Sequence, residues 1–414
     1  MAVFDNLNYT YSSGMKPGLL EQYFHRTLLR NMPDEYVHGR DAQVVALPQN
    51  NGKYVRFRRY TPFPAITTPL AEGKPNDGQM LTQKAFDVMV KPYAGHVEVT
   101  DELNKYVIDD TTRVASDLLN EQAILSLDTI TRDALHSGLN VQYVDGASNT
   151  TRATLAPTDI LTYAELKKAV RTLRRNKCKP FADGFYHAIV HPDVVYDLTS
   201  DPMWVDVSKY QDKTKVEKYE LGTIYKIKFF ESTNAKIFTG DTYIFGTTAS
   251  LTAAAAVDVT NRTITVSATL TEDDARALAG KLVDVQYTAS GTTTKTPMCI
   301  ERVDAGKKTI KFRWMPATSV TTNWTTSNSL TIVPTGAGAS SAPVYSTLIY
   351  GQDAFGRVEL GGKGGFEMIY HEPGSAGAND PYNQRGTIAW KANAFCAAIL
   401  NDDFIVRLES GATA

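Results

Sequence analysis

The stretch TPFPAITTPLAEGKPNDGQM, Thr61 to Met80, holds four prolines (Pro62, Pro64, Pro69, Pro75) and two glycines (Gly73, Gly78). Proline fixes φ and lacks the amide hydrogen, so the stretch is no helix and a poor strand. Strand-like runs flank it. KYVRFRRY (Lys53–Tyr60) alternates, with Val55 and Phe57 on one face and Tyr54, Arg56 and Arg58 on the other. KAFDVMVKPY alternates again and puts Phe86, Val88 and Val90 together. The two runs predict a ribbon whose connection far exceeds the usual hairpin loop of about two to five residues.

Upstream, PGLLEQYFHRTLLRNMPDE carries apolar residues at Leu19, Leu20, Tyr23, Phe24, Leu28 and Leu29, with Pro17 at its start and Pro33 at its end. That spacing predicts an amphipathic helix in an N-terminal arm. Downstream, Val114, Leu118, Leu119, Gln122, Ala123, Leu127, Ile130 and Ala134 share one broad helical face. Asp110 or Thr111 caps its start and Gly138 stops it, giving a helix about 40 Å long. TYAELKKAVRTLRRNKCKP opens with the capping box Thr162/Glu165 and ends in a basic turn before Pro180. A buried strand (Tyr186–Val190), a short helix begun by Pro192 and a further strand, TIYKIKFFEST, follow.

The composition shifts at Thr239. Threonine-rich, strand-like runs (RTITVSATL, KLVDVQYTA, MCIERV, TIKFRWM) continue to about Thr335, broken by the short helix TEDDARALAG. PTGAGASSAP (Pro334–Pro343) reads as a flexible exit. Strands resume with VYSTLIYG, RVELGG and FEMIYH, and the apolar run TIAWKANAFCAAIL leads to a closing strand, FIVRLE. The pattern predicts an α+β parent carrying an inserted β domain.

The chain of 414 residues is 43% hydrophobic and 21% charged, with net charge −2. Those values fit a folded globular chain and exclude a polycation made for nucleic acid. No apolar run approaches the roughly 18 residues of a membrane span. The N-terminal residues lack a basic and an apolar region, so no secretory signal is expected. The cysteines, Cys178, Cys299 and Cys396, are scattered without CxxC spacing and read as reduced core residues.

Catalytic and metal motifs are missing. GxxxxGK[ST], HExxH and GxSxG do not occur. GGKGG (Gly361–Gly365) lacks the hydroxyl residue and following helix of a phosphate loop. In HPDVVYD, Pro192 suits a first helical position and Asp193 complements the helix N-terminus, which accounts for His191 and Asp197 nearby. TEDDAR is a Thr-capped first turn without calcium-ligand spacing. In RFRR, two readings of Arg56, Arg58 and Arg59 stand equally: phosphate binding, or pairing with Glu72, Asp77 or Glu98 within or between subunits. In LRRNKCK, Arg174, Arg175 and Lys177 suit a helix C-terminus, which needs no ligand, and nucleic-acid contact is the alternative reading. NDPYNQRGTIAWK reads as a loop entering a strand or helix. No cofactor, metal or enzyme activity is expected. An arm, a ribbon and a long helix bury little within one subunit, which points to contacts supplied by another.

The order of these elements resembles the major capsid protein of tailed bacteriophages, the HK97-like fold, in the family of large podovirus-type phages. The resemblance is carried by GKYVRFRRYTPF…TTPLAEG (Gly52–Gly73), HVEVTDEL, AIVHPDVVYDL and YGQDAFGRVEL…DPYNQRGTIAWKANAFCAAILND. It implies an arm over residues 1–52, an extended loop (E-loop) over 53–100, and a peripheral domain with a spine helix over 101–161. A body over 162–238 and 342–414 would contribute the axial domain, with a β-rich insertion at 239–341. It implies inter-subunit contacts through Arg56, Arg58, Arg59, Pro64, Pro69, Glu72, Lys74 and Asp77 of the loop and Tyr23, Phe24 and Leu28 of the arm. Arg174, Arg175 and Lys177 would face packaged double-stranded DNA. Implied partners are further copies in an icosahedral shell, a portal, and decoration or scaffolding proteins, with no membrane. The location is the virion, after synthesis in the host cytoplasm. Two rival readings are a cellular nanocompartment shell, which shares the fold, and an adhesin-like binding protein using the inserted domain.

Overall fold

The computed structural model describes residues 36–48, 52–60, 63–67, 69, 78–106, 111–146, 148–201, 220–241, 243–244, 246–255, 257–289, 291–304, 308–313, 315–316, 321–360, 366–371, 382 and 384–413. The first block runs β1 (Gln43–Leu47), β2 (Tyr54–Tyr60), β3 (Gln83–Met89), β4 (Lys91–Thr100), α1 (Asp101–Tyr106) and α2 (Thr111–Leu135). β2 and β3 form the ribbon, in antiparallel register from Tyr54↔Met89 to Tyr60↔Gln83.

The helix α2 packs through a narrower stripe than its sequence suggests. Leu119, Ala123, Ala134 and Leu135 are buried, but Leu118 is 57% exposed. The polar Asp128 and Thr131 are buried instead, because incoming residues satisfy them: the His38 amide donates to Asp128 Oδ1 at 2.8 Å, and Tyr36 Oη lies 3.0 Å from Thr131 Oγ1. Gly138 follows the helix where a Cβ would lie 2.6 Å from Asp402 Oδ1, so the close approach favours glycine there, and the helix stop does not use a left-handed glycine.

The body continues with β5 (Val141–Tyr143), α3 (Tyr163–Arg175), β6 (Tyr186–Val190), α4 (Pro192–Ser200), β7 (Glu220–Ile224), β8 (Ile227–Glu231) and β9 (Ile237–Phe238). Thr162 precedes α3 but makes no side-chain cap; Glu165 turns to Gln142 and Lys168 instead. The expected capping box is therefore not formed. In α4, His191 is the cap, its Nδ1 accepting from the Asp193 amide at 3.3 Å.

TIYKIKFFEST is a hairpin rather than one strand. Tyr225 and Lys226 both take positive φ (45° and 65°) between β7 and β8. Two left-handed residues match the twist of a two-residue hairpin, which glycine or asparagine usually supplies. Lys226→Gly is expected to raise stability by about 1 kcal/mol, the relief of one left-handed non-glycine residue. Urea unfolding of the two proteins checks it, and an unchanged or lower midpoint would contradict it.

Residues from 251 to 333 form a sheet of their own: β10 (Leu251–Thr252), β11 (Thr263–Thr265), α5 (Glu272–Leu278), β12 (Leu282–Ala289), β13 (Thr292–Asp304), β14 (Thr309–Phe312) and β15 (Thr331–Val333). The strand order is β10-β15-β12-β13-β14-β11. Ala253 bridges Val266, the Ala254 amide donates to the Thr265 carbonyl at 2.7 Å, and the Ser267 amide donates to the Thr252 carbonyl at 2.9 Å. The outer strands thus meet, and the sheet closes into a small barrel around Ile264, Leu278, Val285, Ile300, Phe312 and Trp324. Thr271 caps α5 in a reciprocal box with Asp274, which explains the acidic TEDDAR cluster.

The chain returns as β16 (Val344–Tyr350), β17 (Phe355–Leu360), β18 (Phe366–His371), β19 (Arg385–Ile399) and β20 (Ile405–Ser410). A seven-stranded sheet runs β5-β20-β16-β6-β8-β7, with β9 also on β16. One of its faces is covered by α3 and α4 through Leu166, Val170, Leu173, Val194 and Leu198. A five-stranded sheet joins β1, β17, β19, β18 and β4, with α2 lying across it. The late apolar run is the single long strand β19, which pairs with β4, β17 and β18. Gly95 permits the close approach of α2 there: a Cβ would lie 2.6 Å from Trp390 Nε1, which donates to Gln122 Oε1 at 3.1 Å.

PTGAGASSAP is not a loose linker. The Ala339 amide donates to the Leu155 carbonyl at 2.8 Å, and a Cβ at Gly338 would fall 2.6 Å from that same oxygen. Small residues here allow a tight crossing over the body.

Candidate assembly interface

The root of the ribbon is anchored on its own subunit. Val55 and Phe57 pack with Leu47, Val88, Val90, Val358, Cys396 and Ala398, and a Cβ at Gly356 would come within 3.3 Å of the Phe57 ring. The barrel braces the same root. Arg302 donates to the Tyr54 hydroxyl at 3.2 Å, Lys91 donates to the Glu301 carbonyl, and Arg313 donates to the Ala397 carbonyl. Between ribbon, barrel and body lies a cavity of about 400 Å³ that Arg59, Lys91, Glu301 and Asp402 help to line. Burial pushes the Asp402 carboxyl up to about 6, against the hydrogen bond it accepts from the Leu139 amide.

Beyond the root, apolar side chains are uncovered. Tyr60 is 57% exposed, Phe63 51%, Ile66 65%, Met80 88% and Leu81 70%. An apolar group left in water forfeits about 25 cal/mol for each Å² it could bury, so this surface favours a second molecule. The outer face of the ribbon is charged. Arg56 binds Asp87 across the strands through two hydrogen bonds, Nε to Oδ1 at 2.6 Å and Nη2 to Oδ2 at 2.9 Å. That pair holds the Asp87 carboxyl below the usual carboxylate range. Asp87 replaces the acids expected to pair with the RFRR run: Glu98 sits on β4 opposite Thr387, and Glu72 and Asp77 lie outside the described residues. The pair is too exposed to stabilise the fold appreciably.

Arg58, Arg59, Pro64 and Pro69 are exposed. Lys74 of the loop and Tyr23, Phe24 and Leu28 of the arm lie outside the described residues. Arg174, Arg175 and Lys177 are exposed at the end of α3, on the body and apart from the ribbon; Lys177 takes φ 57° where the helix stops. Among the described residues, no group of three His, Cys, Asp or Glu side chains could hold a metal ion, and no helix is long and apolar enough to cross a membrane.

Two buried polar clusters escape a reading of the sequence. Arg152 forks onto Glu409, with both contacts at 2.8 Å, while its guanidinium lies 3.6 Å from Asp284 and stacks on Phe238. Arg407 Nε lies 2.9 Å from Glu409 Oε1. Burial alone would raise the Glu409 carboxyl, but the two guanidiniums outweigh it and hold it low.

The second cluster clamps the segment leading to the ribbon. Asp41 Oδ2 lies 2.7 Å from His187 Nδ1 and accepts the Tyr350 hydroxyl at 2.9 Å, and His187 Nε2 lies 3.0 Å from Asp183. Burial pulls the imidazole pKa down; Asp41 and Asp183 outweigh it and leave it raised. A raised histidine pKa stabilises the fold fully below the unfolded value of about 6.5, and that contribution is lost as pH rises through the folded value. The stability advantage of the native protein over His187→Gln is therefore expected to shrink as pH rises from about 6.5. Thermal unfolding across pH checks it; an advantage that grows with pH would contradict it.

Neither a family model nor a curated protein matches the sequence. Solved structures do match, over nearly the whole chain. The capsid of cyanophage P-SCSP1u aligns at TM-score 0.55 and 10% identity, covering 96% of this chain and 94% of that one. The capsid of cyanophage Pam1 aligns at TM-score 0.55 and 9% identity, covering 97% and 99%. The chain has a phage-capsid fold. The capsid of Ralstonia phage GP4 agrees, at TM-score 0.54 and 11% identity with 99% of both chains covered. The matches extend over nearly the whole chain, which is consistent with an α+β capsid fold.

Proposed function

We propose that the chain is the major capsid protein of a tailed bacteriophage, a non-enzymatic subunit that assembles into pentamers and hexamers of an icosahedral shell around double-stranded DNA. The observation that carries this is a ribbon firmly rooted in its own subunit whose outer apolar side chains, Phe63, Ile66, Met80 and Leu81, remain more than half exposed. Joined to a near-full-length capsid fold, it supports reading 53–100 as the E-loop and α2 as the spine helix of a peripheral domain. The seven-stranded sheet with α3 and α4 would belong to the axial body. Arg174, Arg175 and Lys177 would touch the DNA weakly and without sequence preference. A portal and decoration or scaffolding proteins complete the partners, the virion is the location, and synthesis takes place in the host cytoplasm. Sedimentation and negative-stain microscopy of the purified chain test the reading. Closed particles of many copies support it, and single subunits at every concentration would refute it.

Residues 239–341 are proposed as an insertion on the outer surface. The support is that β9 and β16, which flank it, pair directly (Phe238↔Val344), and that Gly240 and Ala337 are close enough for a Cβ on the first to meet that of the second at 3.0 Å. Excising 241–336 and joining Gly240 to Ala337 is expected to leave a soluble body with a cooperative unfolding transition. Loss of all soluble, folded product would show the barrel to be integral to the core.

A further inference from the structure

Asp77, Asp145 and Asp183 are each followed by glycine. Asp77 lies outside the described residues. An Asp-Gly pair can close on itself, because no Cβ on the second residue holds its backbone nitrogen away from the aspartate Cγ. Closure is fastest where three conditions meet. The carboxyl is free, the glycine amide hydrogen bonds to nothing else, and the peptide carbonyl between them is polarised so that this hydrogen leaves easily.

Asp145–Gly146 meets all three. Both residues are exposed, in the turn that follows β5, and Asp145 takes φ 50°. Among the described residues, nothing binds the Asp145 carboxylate and the Gly146 amide donates to no acceptor. The Asp145 carbonyl, by contrast, accepts twice, from the Ser148 amide at 2.8 Å and from the Asn149 amide at 2.9 Å. Two donors on that oxygen draw electrons out of the peptide bond and acidify the Gly146 N–H.

Asp183–Gly184 is the opposite case. The Gly184 amide is engaged, donating to the Phe181 carbonyl at 2.9 Å. The carboxylate is engaged as well: Oδ1 accepts from the Phe185 amide at 3.0 Å, and Oδ2 lies 3.0 Å from His187 Nε2. Burial alone would raise this carboxyl, but the His187 contact outweighs it and holds it low. Closure consumes the protonated carboxyl, so that shift protects Asp183 further.

We propose that Asp145 is a site of spontaneous backbone modification, converted to isoaspartate through a cyclic imide, and that the fold protects Asp183 from the same fate. The Gly146 nitrogen attacks the Asp145 Cγ. A C–N bond forms, one carboxyl C–O bond breaks, and the amide hydrogen leaves with that oxygen as water. Water then opens the ring at either carbonyl, returning aspartate or leaving isoaspartate, with no net change in mass. In isoaspartate the main chain runs through Cβ and is one atom longer. That atom enters a turn tied on one side by the Val144 amide to the Glu409 carbonyl at 3.1 Å, and across by Asn149 Nδ2 to the Val144 carbonyl at 3.1 Å.

The full chain, aged at mildly acidic pH either folded or in guanidinium chloride and then mapped for isoaspartyl peptides, tests this. In the folded chain, isoaspartate at 145 is expected to exceed that at 183 by about tenfold or more, while the unfolded chain forms it at comparable rates at both. Equal formation at the two sites of the folded chain, or an excess at Asp183, would overturn the proposal. An excess at Asp145 that persists in denaturant would overturn it too, because sequence and not fold would then decide. Gly146→Ala is a second variant that the turn accommodates, since a Cβ there meets nothing nearer than the Tyr143 carbonyl at 3.4 Å. It is expected to slow formation at 145 about tenfold, through the steric barrier that glycine lacks; an unchanged rate would count against the proposal.

Discussion

Glu409→Ala is expected to destabilise the fold by about 3–5 kcal/mol, more than any other single change considered in the body. The carboxylate is fully buried and is shared by Arg152, which grips it through two contacts of 2.8 Å, and Arg407, 2.9 Å away. Removing it leaves two cations in a place water does not reach. Asp284 cannot substitute, because it stands 3.6 Å from Arg152 and its carboxyl is itself pushed up by burial. Asp284→Asn should accordingly cost much less than Glu409→Ala. Urea unfolding of both variants is the check. Equal losses, or a loss under about 1 kcal/mol for Glu409→Ala, would mean the cluster is not held by that carboxylate.

The cluster also sits where the polypeptide crosses between body and barrel. Arg152 belongs to the body, Asp284 to the barrel, and Phe238, against which Arg152 stacks, to the last strand before the barrel. Its geometry therefore fixes how the barrel stands on the body. The barrel in turn braces the ribbon root through Arg302 and Tyr54.

The second large effect concerns the ribbon. Replacing residues 61–82 with Asn-Gly would join Tyr60 to Gln83, which already face each other in register, through the turn that two-residue hairpins prefer. The subunit is expected to fold with an unchanged unfolding midpoint, because Val55, Phe57, Val88 and Val90 still pack on the sheet. Particle formation is expected to be lost entirely, since Phe63, Ile66, Met80 and Leu81 go with the tip. Particles formed at native yield by the shortened chain would show that the tip makes no necessary contact.

Local chemistry made much of the fold legible. The alternation of Val55, Phe57, Val88 and Val90 marked the inner face of the ribbon, and all four are half-buried or buried there. Periodicity located α2, the basic turn before Pro180 marked the end of α3, Pro192 marked the start of α4, and the threonine-rich run from Thr239 contains the barrel strands. Misreadings arose where a distant partner decides. Leu118 fits the apolar stripe of α2 yet is exposed, while Asp128 is buried because His38, far away in sequence, satisfies it. Thr162 and Glu165 have capping-box spacing, but Gln142 captures Glu165. Glycine and alanine in PTGAGASSAP suggested flexibility, whereas the body needs small residues there for contact. Tyr225 and Lys226 carry no turn signature at all.

The contacts of the ribbon were legible only in part. The proline-rich connection announced an excursion, but the acid that pairs with Arg56 is Asp87, its cross-strand neighbour, which a search for acids in the loop passes over. The buried clusters around Glu409 and His187 join residues from opposite ends of the chain, so no spacing rule could assemble them.

The role of the ribbon is tested most directly by an electron cryomicroscopy map of the particles formed by the full chain. The expected result is a closed shell in which residues 61–82 of each copy lie over a different copy, covering Phe63, Ile66, Met80 and Leu81. A map in which the ribbon touches only its own subunit, or a preparation that holds single subunits and no shells, would contradict it.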